Sequence, residues 1–256
     1  MSNIQNAFKN RKAFIPFVTC GFPDLETTGK VVRACAESGA DLIELGIPFS
    51  DPTAEGEVIQ KASIKALKNG ITTDKILDFV EDLRKDVTIP LVFMTYANVV
   101  FSYGAERFMS RCKAIGIDGV ILPDLPYEER DEFADTADKY GINMISLIAP
   151  TSENRIAMIS KDAKGFIYIV SSLGVTGVRS EITTDIKKIV EQIRQNTDTP
   201  CAVGFGISRP EQAKEIAEIS DGVIVGSAIV NIIDEYGKDA PEKVREYVKS
   251  MTDAIH

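Results

Sequence analysis

Runs of apolar and β-branched residues recur along the chain at 13–19, 41–45, 90–95, 118–122, 143–148, 165–170, 200–204 and 221–225. Short runs with little polar alternation predict eight strands covered on both faces, the condition of a parallel sheet. Between them, 27–38, 74–85, 105–115, 128–140, 184–195 and 210–219 return apolar residues at helical spacing, and 59–67 reads as an additional helix after the second strand. Parallel neighbours need a crossover between them, so strand alternating with helix eight times predicts an α/β fold: a single (β/α)8 TIM barrel with extra helices, spanning residues 1–256. A doubly wound open sheet satisfies the same count, because strand number alone does not close a barrel.

Composition narrows the partners. With 256 residues and 44% hydrophobic content the chain can bury one large core, and its net charge of -9 repels nucleic acid and anionic membrane alike. Any anionic ligand must then be gripped locally. The four cysteines, Cys20, Cys35, Cys112 and Cys201, form no CxxC pair, which fits reduced thiols. Residues 1–12 lack the apolar core of a secretion signal, and no stretch approaches the roughly 18 apolar residues of a membrane span. The expectation is a soluble, cytoplasmic protein with no membrane partner. Its single histidine, His256, leaves no basis for Ser-His or Cys-His catalysis or a histidine-rich metal site. Carboxylates and backbone groups remain to do the chemistry, with no metal and no organic cofactor.

The acid that stands out is Glu44, set among Leu42, Ile43 and Leu45 in the second run, with Asp51 and Glu55 following in a Gly/Pro loop. A buried charged carboxylate costs several kcal/mol unless it is paired or protonated. At the level of residues two readings stay open: a structural carboxylate bonded to a hydroxyl or arginine, or an acid-base group. Asp51 reads equally as a turn residue. Three glycine segments follow runs six to eight: Ser171-Ser172-Leu173-Gly174-Val175-Thr176-Gly177, Gly204-Phe205-Gly206-Ile207-Ser208 and Val225-Gly226-Ser227-Ala228. All fall on the face of a barrel where active sites gather. A helix opening at Gly226-Ser227 would point its positive end at an anion, so together they suggest a phosphate cradle built from backbone N–H groups. Each glycine alone has turn geometry as the plainer explanation.

These residues resemble the tryptophan synthase α subunit family over nearly the whole chain. The likeness rests on Phe14-Ile15-Pro16-Phe17-Val18-Thr19, on Ile43-Glu44-Leu45-Gly46-Ile47-Pro48-Phe49-Ser50-Asp51-Pro52, on Tyr96-Ala97-Asn98 and on Pro123-Asp124-Leu125-Pro126. It continues through Ile148-Ala149-Pro150-Thr151, the three glycine segments, and Ile229-Val230. The resemblance implies a (β/α)8 barrel that cleaves indole-3-glycerol phosphate to indole and glyceraldehyde 3-phosphate. It aligns Glu44 with the main acid-base carboxylate and Glu55 with the second, usually an aspartate. Here the loop reads Asp51-Pro52-Thr53-Ala54-Glu55-Gly56-Glu57, with Glu57 as a rival acid. The resemblance further implies phosphate contacts from Gly177, Gly206, Gly226 and Ser227, and an indole pocket from Phe17, Tyr96, Ile121, Ile148, Tyr168, Thr176, Phe205 and Ile224. It implies a pyridoxal-phosphate β subunit as partner in an α2β2 assembly, with the loops around Pro52 and Gly177 governing the contact.

Two other functions compete. A Schiff-base aldolase on a phosphate-binding barrel wants a lysine at a strand's C-terminal end, whereas Lys164 precedes run six. A catalytically silent subunit that only binds a partner enzyme is favoured by the altered Glu55 loop.

Overall fold

The computed structural model describes residues 3–150, 153–170, 186–204 and 206–256. Among these residues nine strands form one sheet: β1 (Ala13–Thr19), β2 (Ile43–Gly46), β3 (Leu91–Met94), β4 (Gly119–Ile121), β5 (Asn143–Met144), β6 (Ser146–Ile148), β7 (Ile167–Val170), β8 (Cys201–Gly204) and β9 (Gly222–Val225). Their order is β5-β4-β3-β2-β1-β9-β8-β7-β6, and every pairing is parallel. The two ends of this sheet are consecutive in sequence, with only Ile145 between them. The run 143–148 is thus one strand interrupted in the middle, and the sheet closes there into an eight-stranded barrel. The open-sheet alternative does not survive this closure.

β1 fills its apolar run, whereas three other strands start later than theirs for a definite reason. Run 41–45 starts pairing only at Ile43, and Asp41 instead accepts the Phe14 N–H at 2.9 Å, Arg11 at 2.7 Å and His256 Nε2 at 3.1 Å. Asp118, just ahead of β4, likewise accepts the Leu91 N–H at 3.0 Å and Arg84 at 2.8 Å. Asp221, ahead of β9, accepts the Cys201 N–H at 2.8 Å and Arg194 at 2.7 Å. Each aspartate satisfies a backbone donor at the start of the neighbouring strand, a group that would otherwise be left unpaired.

The helices fall where apolar spacing puts them, at Leu25–Glu37, Glu57–Lys68, Thr73–Leu83, Ala105–Ala114, Asp131–Tyr140, Ile186–Arg194 and Pro210–Ile219. Asp24 caps the first of these by accepting the Thr27 N–H at 2.7 Å, which sets its start two residues before the expected 27. The expected helix 128–140 begins instead at Asp131, behind a 3-10 turn at Tyr127–Glu129. Four further helices lie at Asn3–Asn6, Ala97–Tyr103, Glu153–Lys161 and Ala240–Ile255, and the helix suggested at Gly226-Ser227 runs Ser227–Tyr236. Ala240–Ile255 packs on Leu25–Glu37 and Pro210–Ile219.

The barrel is plugged at its N-terminal end by Ile4, fully buried. Its Cδ1 stands 3.1 Å from where a Cβ on Gly119 would lie, so the glycine leaves it room. Lys164 lies at this lower end, paired with Asp138 at 2.6 Å, away from the strands' C-terminal ends. Among the described residues no helix is long and apolar enough to cross a membrane. The mouth at the opposite end, where the strands finish, holds the acidic pair.

Candidate active site

Glu44 is the second residue of β2, in register with Phe17 on β1 and Val92 on β3. It is 1% exposed, and among the described residues neither carboxylate oxygen has a hydrogen-bond partner. The reading of Glu44 as a bonded structural carboxylate therefore finds no partner to support it. Loss of hydration raises its pKa from the ordinary carboxyl range to about 8, with the charge of Glu55 pushing the same way. Such a group is protonated at neutral pH and is poised to give up its proton.

Glu55 comes from the loop between β2 and the helix Glu57–Lys68. Burial lifts its pKa to about 7, partly offset by a hydrogen bond from the Tyr96 hydroxyl. The loop is pinned on both sides of it. The Ala54 N–H donates to the Tyr96 hydroxyl at 3.2 Å, and Gln60 Nε2 donates to the Glu55 carbonyl at 2.7 Å. The Tyr96 ring rests on Phe49 with centroids 5.1 Å apart. Tyr96 and Gln60 thus set the path of the altered loop. Gln60 is a residue the sequence reading missed, since nothing in its type or spacing announces a bond to Glu55. Asp51 is exposed and accepts from Ser50, and Glu57 is an exposed helix residue paired with Lys61 at 3.5 Å. Neither joins the buried pair.

Two glycines give aromatic rings space beside Glu44. A Cβ at Gly46 would stand 2.5 Å from Phe17 Cζ, and one at Gly204 would stand 2.7 Å from Tyr168 Cε1. Burial and the charge of Glu44 both raise the Tyr168 pKa, which keeps that hydroxyl neutral next to the acid. Of the other expected pocket residues, Ile121 ends β4 opposite Met94, Ile224 pairs with Ile15, and Ile148 ends β6 in register with Ile169, while Leu147 is the residue opposite Tyr168. All three isoleucines are buried. Thr176, Gly177 and Phe205 lie outside the described residues, as does the segment Ser171 to Gly177. Thr19, on β1 two places beyond Phe17, has a buried hydroxyl without a partner among the described residues, another feature the sequence reading missed.

The two described glycines of the expected cradle differ. Gly206 has φ +86, which L side chains rarely adopt, so backbone geometry alone requires glycine there. Gly226 has φ -114, and a Cβ on it would meet Phe17 and Ile59 at 3.5 and 3.6 Å, ordinary contact. Neither strain nor packing demands a glycine at this position. It is the N-cap of Ser227–Tyr236 and makes no side-chain cap hydrogen bond. The helix Pro210–Ile219 differs, because Gln212 accepts the Ser208 and Arg209 N–H groups at 3.1 Å each. Among the described residues the start of Ser227–Tyr236 therefore presents uncapped donors at the mouth.

Beside the loop of Glu55, the Ala97 N–H donates to Asp124 at 3.0 Å, tying Ala97–Tyr103 to the turn after β4. Phe101 on that helix is 66% exposed, an apolar side chain left on the outer surface. Among the described residues no three histidine, cysteine or acidic side chains converge as metal ligands would.

Residues 4–256 match the family model described as Tryptophan synthase alpha chain. A tryptophan synthase alpha chain of Lacticaseibacillus casei is 49% identical over 255 residues, covering 100% of this chain and 96% of the relative. The solved tryptophan synthase subunit alpha of Legionella pneumophila str. Paris superposes with a TM-score of 0.90 at 38% identity, over 100% of this chain and 98% of that one. A chain of the Pyrococcus furiosus structure described as a mutually activating tryptophan synthase a2b2 complex superposes at 0.88 with 36% identity, over 95% and 99%.

Proposed function

The chain belongs to the tryptophan synthase alpha chain family, and on that premise we propose that Glu44 and Glu55 together cleave indole-3-glycerol phosphate inside the barrel mouth. The enzyme is a carbon-carbon lyase of tryptophan biosynthesis that releases indole and glyceraldehyde 3-phosphate. The observation that carries the residue assignment is Glu44: a fully enclosed acid with both oxygens unpartnered among the described residues, raised to about 8 beside a second acid raised to about 7.

The chemistry follows from that difference. Neutral Glu44 protonates indole C3, which turns the ring into a leaving group. The carboxylate so formed takes the proton of the side chain's 3'-hydroxyl as the carbon-carbon bond breaks, leaving an aldehyde on one fragment and indole on the other. Ionised Glu55 accepts a hydrogen bond from the indole N–H and stabilises the positive charge that grows on the ring. Phe17 and Tyr168 flank the acid where an aromatic substrate needs walls, with Tyr96, Ile121, Ile148 and Ile224 completing the assigned pocket.

Phosphate is assigned to Gly206, Gly226 and Ser227, with Gly177 from the third segment. Gly226→Ala is the decisive substitution, since its side chain fits the protein but crowds an anion at the helix start. Calorimetric titration with indole-propanol phosphate is expected to show affinity falling at least tenfold with an unchanged circular dichroism spectrum. Wild-type affinity would move the phosphate elsewhere.

The partner is a pyridoxal-phosphate β subunit in an α2β2 assembly, with Phe101 and the loop around Pro52 on the docking face. Indole release by the chain is expected to rise at least tenfold on adding a cognate β subunit, and Phe101→Asp is expected to weaken that complex. Unchanged release and no complex would refute the partner surface. The four buried free thiols support a reducing, cytoplasmic setting.

A further inference from the structure

The barrel wall is split on one side. β4 pairs with β5 through Gly119 with Asn143 and Val120 with Met144, and the last bond between the two segments runs from the Ile145 N–H to the Val120 carbonyl at 2.9 Å. From Ser146 onward the chain pairs with β7 instead, so β4 and β6 part towards the mouth. A cavity of about 370 Å³ occupies the gap, and its lining comes from both faces of the sheet. Leu147 and Val170 belong to the inner face: Leu147 is in register with Tyr168, and that row continues through Ala202 and Gly222 to Ala13, which shares its face of β1 with Phe17. Val120 and Met144 belong to the outer face, because Val120 follows Gly119, which stands in the row of Glu44 and Val92. The cavity thus begins in the active-site mouth and passes through the wall to Ile159 on the helix Glu153–Lys161.

Polar groups at its outer end are bound to one another. Arg155 bonds both oxygens of Glu128, the Tyr127 hydroxyl bonds Asp162, and Arg130 lies over the Tyr127 ring, 3.7 Å from Asp162. These contacts strap the turn after β4 to the helix where strand pairing is missing, and they leave apolar side chains to face the gap. At the inner end Ala54 lines the cavity one residue before Glu55. The substrate meets this point with its N–H on Glu55, while C3 and the phosphate chain are committed to Glu44 and the cradle. The benzene edge of the indole, C4 to C7, is the part left to face the gap.

Resting on that assignment of the two acids, we propose that the gap is a specificity pocket for the substrate's ring: it admits indole-3-glycerol phosphates that carry an uncharged apolar group on the benzene edge, and Met144 and Ile159 set how long that group can be. Such a group exchanges water for the side chains of Val120, Leu147 and Ile159. A charged group gains nothing there, since the arginines at the rim are already paired.

The test uses indole-propanol phosphate and its analogues with a phenyl group at C5, C6 or C7, titrated by calorimetry onto the full chain. At least one regioisomer is expected to bind within tenfold of the unsubstituted compound, and the matching phenyl-substituted indole-3-glycerol phosphate to be cleaved with kcat/KM within tenfold of the parent substrate. Ile159→Trp, which fills the outer end, should weaken that regioisomer at least tenfold and change the parent less than twofold. Met144→Phe narrows the gap from the strand side and should act in the same sense, which keeps the test intact where the tryptophan disturbs folding. If the parent binds and all three phenyl analogues are more than tenfold weaker, or if both filling variants leave the tolerated regioisomer unaffected, the specificity pocket is overturned. Failure of the parent compound itself to bind overturns instead the reading of the mouth as an indole site, and the pocket with it.

Discussion

Glu44→Gln lowers cleavage of indole-3-glycerol phosphate by about a thousandfold or more, within the range expected for removing a general acid that also serves as the base. Glutamine keeps the shape of the side chain but can neither release nor accept the proton, and the single histidine, bonded to Asp41 below the barrel, is too remote to substitute. Substrate affinity should change little, because walls and phosphate cradle are untouched. The same variant carries a stability signature that separates an enclosed acid from a surface one. In the fold the carboxyl keeps its proton up to about pH 8, whereas in the unfolded chain it loses it near its ordinary value of 4.5. The folded state binds more protons between those values, so wild-type stability falls as pH rises through that window. Glutamine is exempt. Thermal unfolding at pH 9 should find Glu44→Gln more stable than wild type, by roughly 5 kcal/mol, and the gap should nearly close by pH 5. Single-turnover cleavage and paired melting curves test both halves. A mutant that cleaves normally sinks the assignment, and an equal response to pH sinks the account of why this acid holds its proton.

Glu55→Gln should lose about a hundredfold, less than Glu44→Gln, because it removes charge stabilisation and leaves the proton transfers in place. The productive pair is protonated Glu44 with ionised Glu55. Below about pH 7 Glu55 gains a proton, and above about pH 8 Glu44 loses one, so wild-type cleavage should be bell-shaped and narrow about neutrality. In Glu55→Gln the acid limb should vanish while the alkaline limb stays. Glu57→Gln should be close to wild type, since that side chain is 86% exposed beside Lys61. Glu55→Asp tests the fit of the longer acid: a methylene moves the carboxylate by on the order of 1.5 Å, and misplacement of roughly 1 Å can cost about a hundredfold. With Ala54 and the Glu55 carbonyl both tied down, the loop cannot easily follow the shorter side chain. The expectation is a loss of about tenfold or more. An Asp variant much faster than wild type would instead mark the loop as poorly adapted to catalysis and favour a subunit whose main role is its partner.

The barrel and Glu44 are legible in the sequence because both depend on local pattern. Run 13–19 is a strand along its full length because both faces are covered, and it reads as one for the same reason. A lone acid in such a run advertises itself. What escapes the pattern is made by distant parts of the chain. Tyr96 anchors Ala54 across 42 positions, and no composition rule connects them. Strand ends at Asp41, Asp118 and Asp221 are fixed by side chains serving a neighbouring strand. The break at Ile145 is invisible in a continuous apolar run, and Ala97–Tyr103 is short and held at its start by Asp124 from another loop. Ala240–Ile255 carries Val244, Val248 and Met251 at helical spacing, a readable signal that strand counting passes over once the eighth strand completes the repeat.

Barrel closure has a bearing on how the chain is made. β1 needs two neighbours, and while β2 follows within a few dozen residues, the other is β9, with Ala13 opposite Gly222. On the ribosome, β1 emerges among the earliest elements and keeps one edge unpaired until nearly everything else has been translated. At about 5–20 residues per second that interval is on the order of ten seconds or more, during which a strand whose every residue is buried in the finished fold can find the wrong mate. The nascent chain is thus a natural client for chaperones that shield open edges, and the final crossover, rather than any single helix, governs when the protein becomes safe from aggregation.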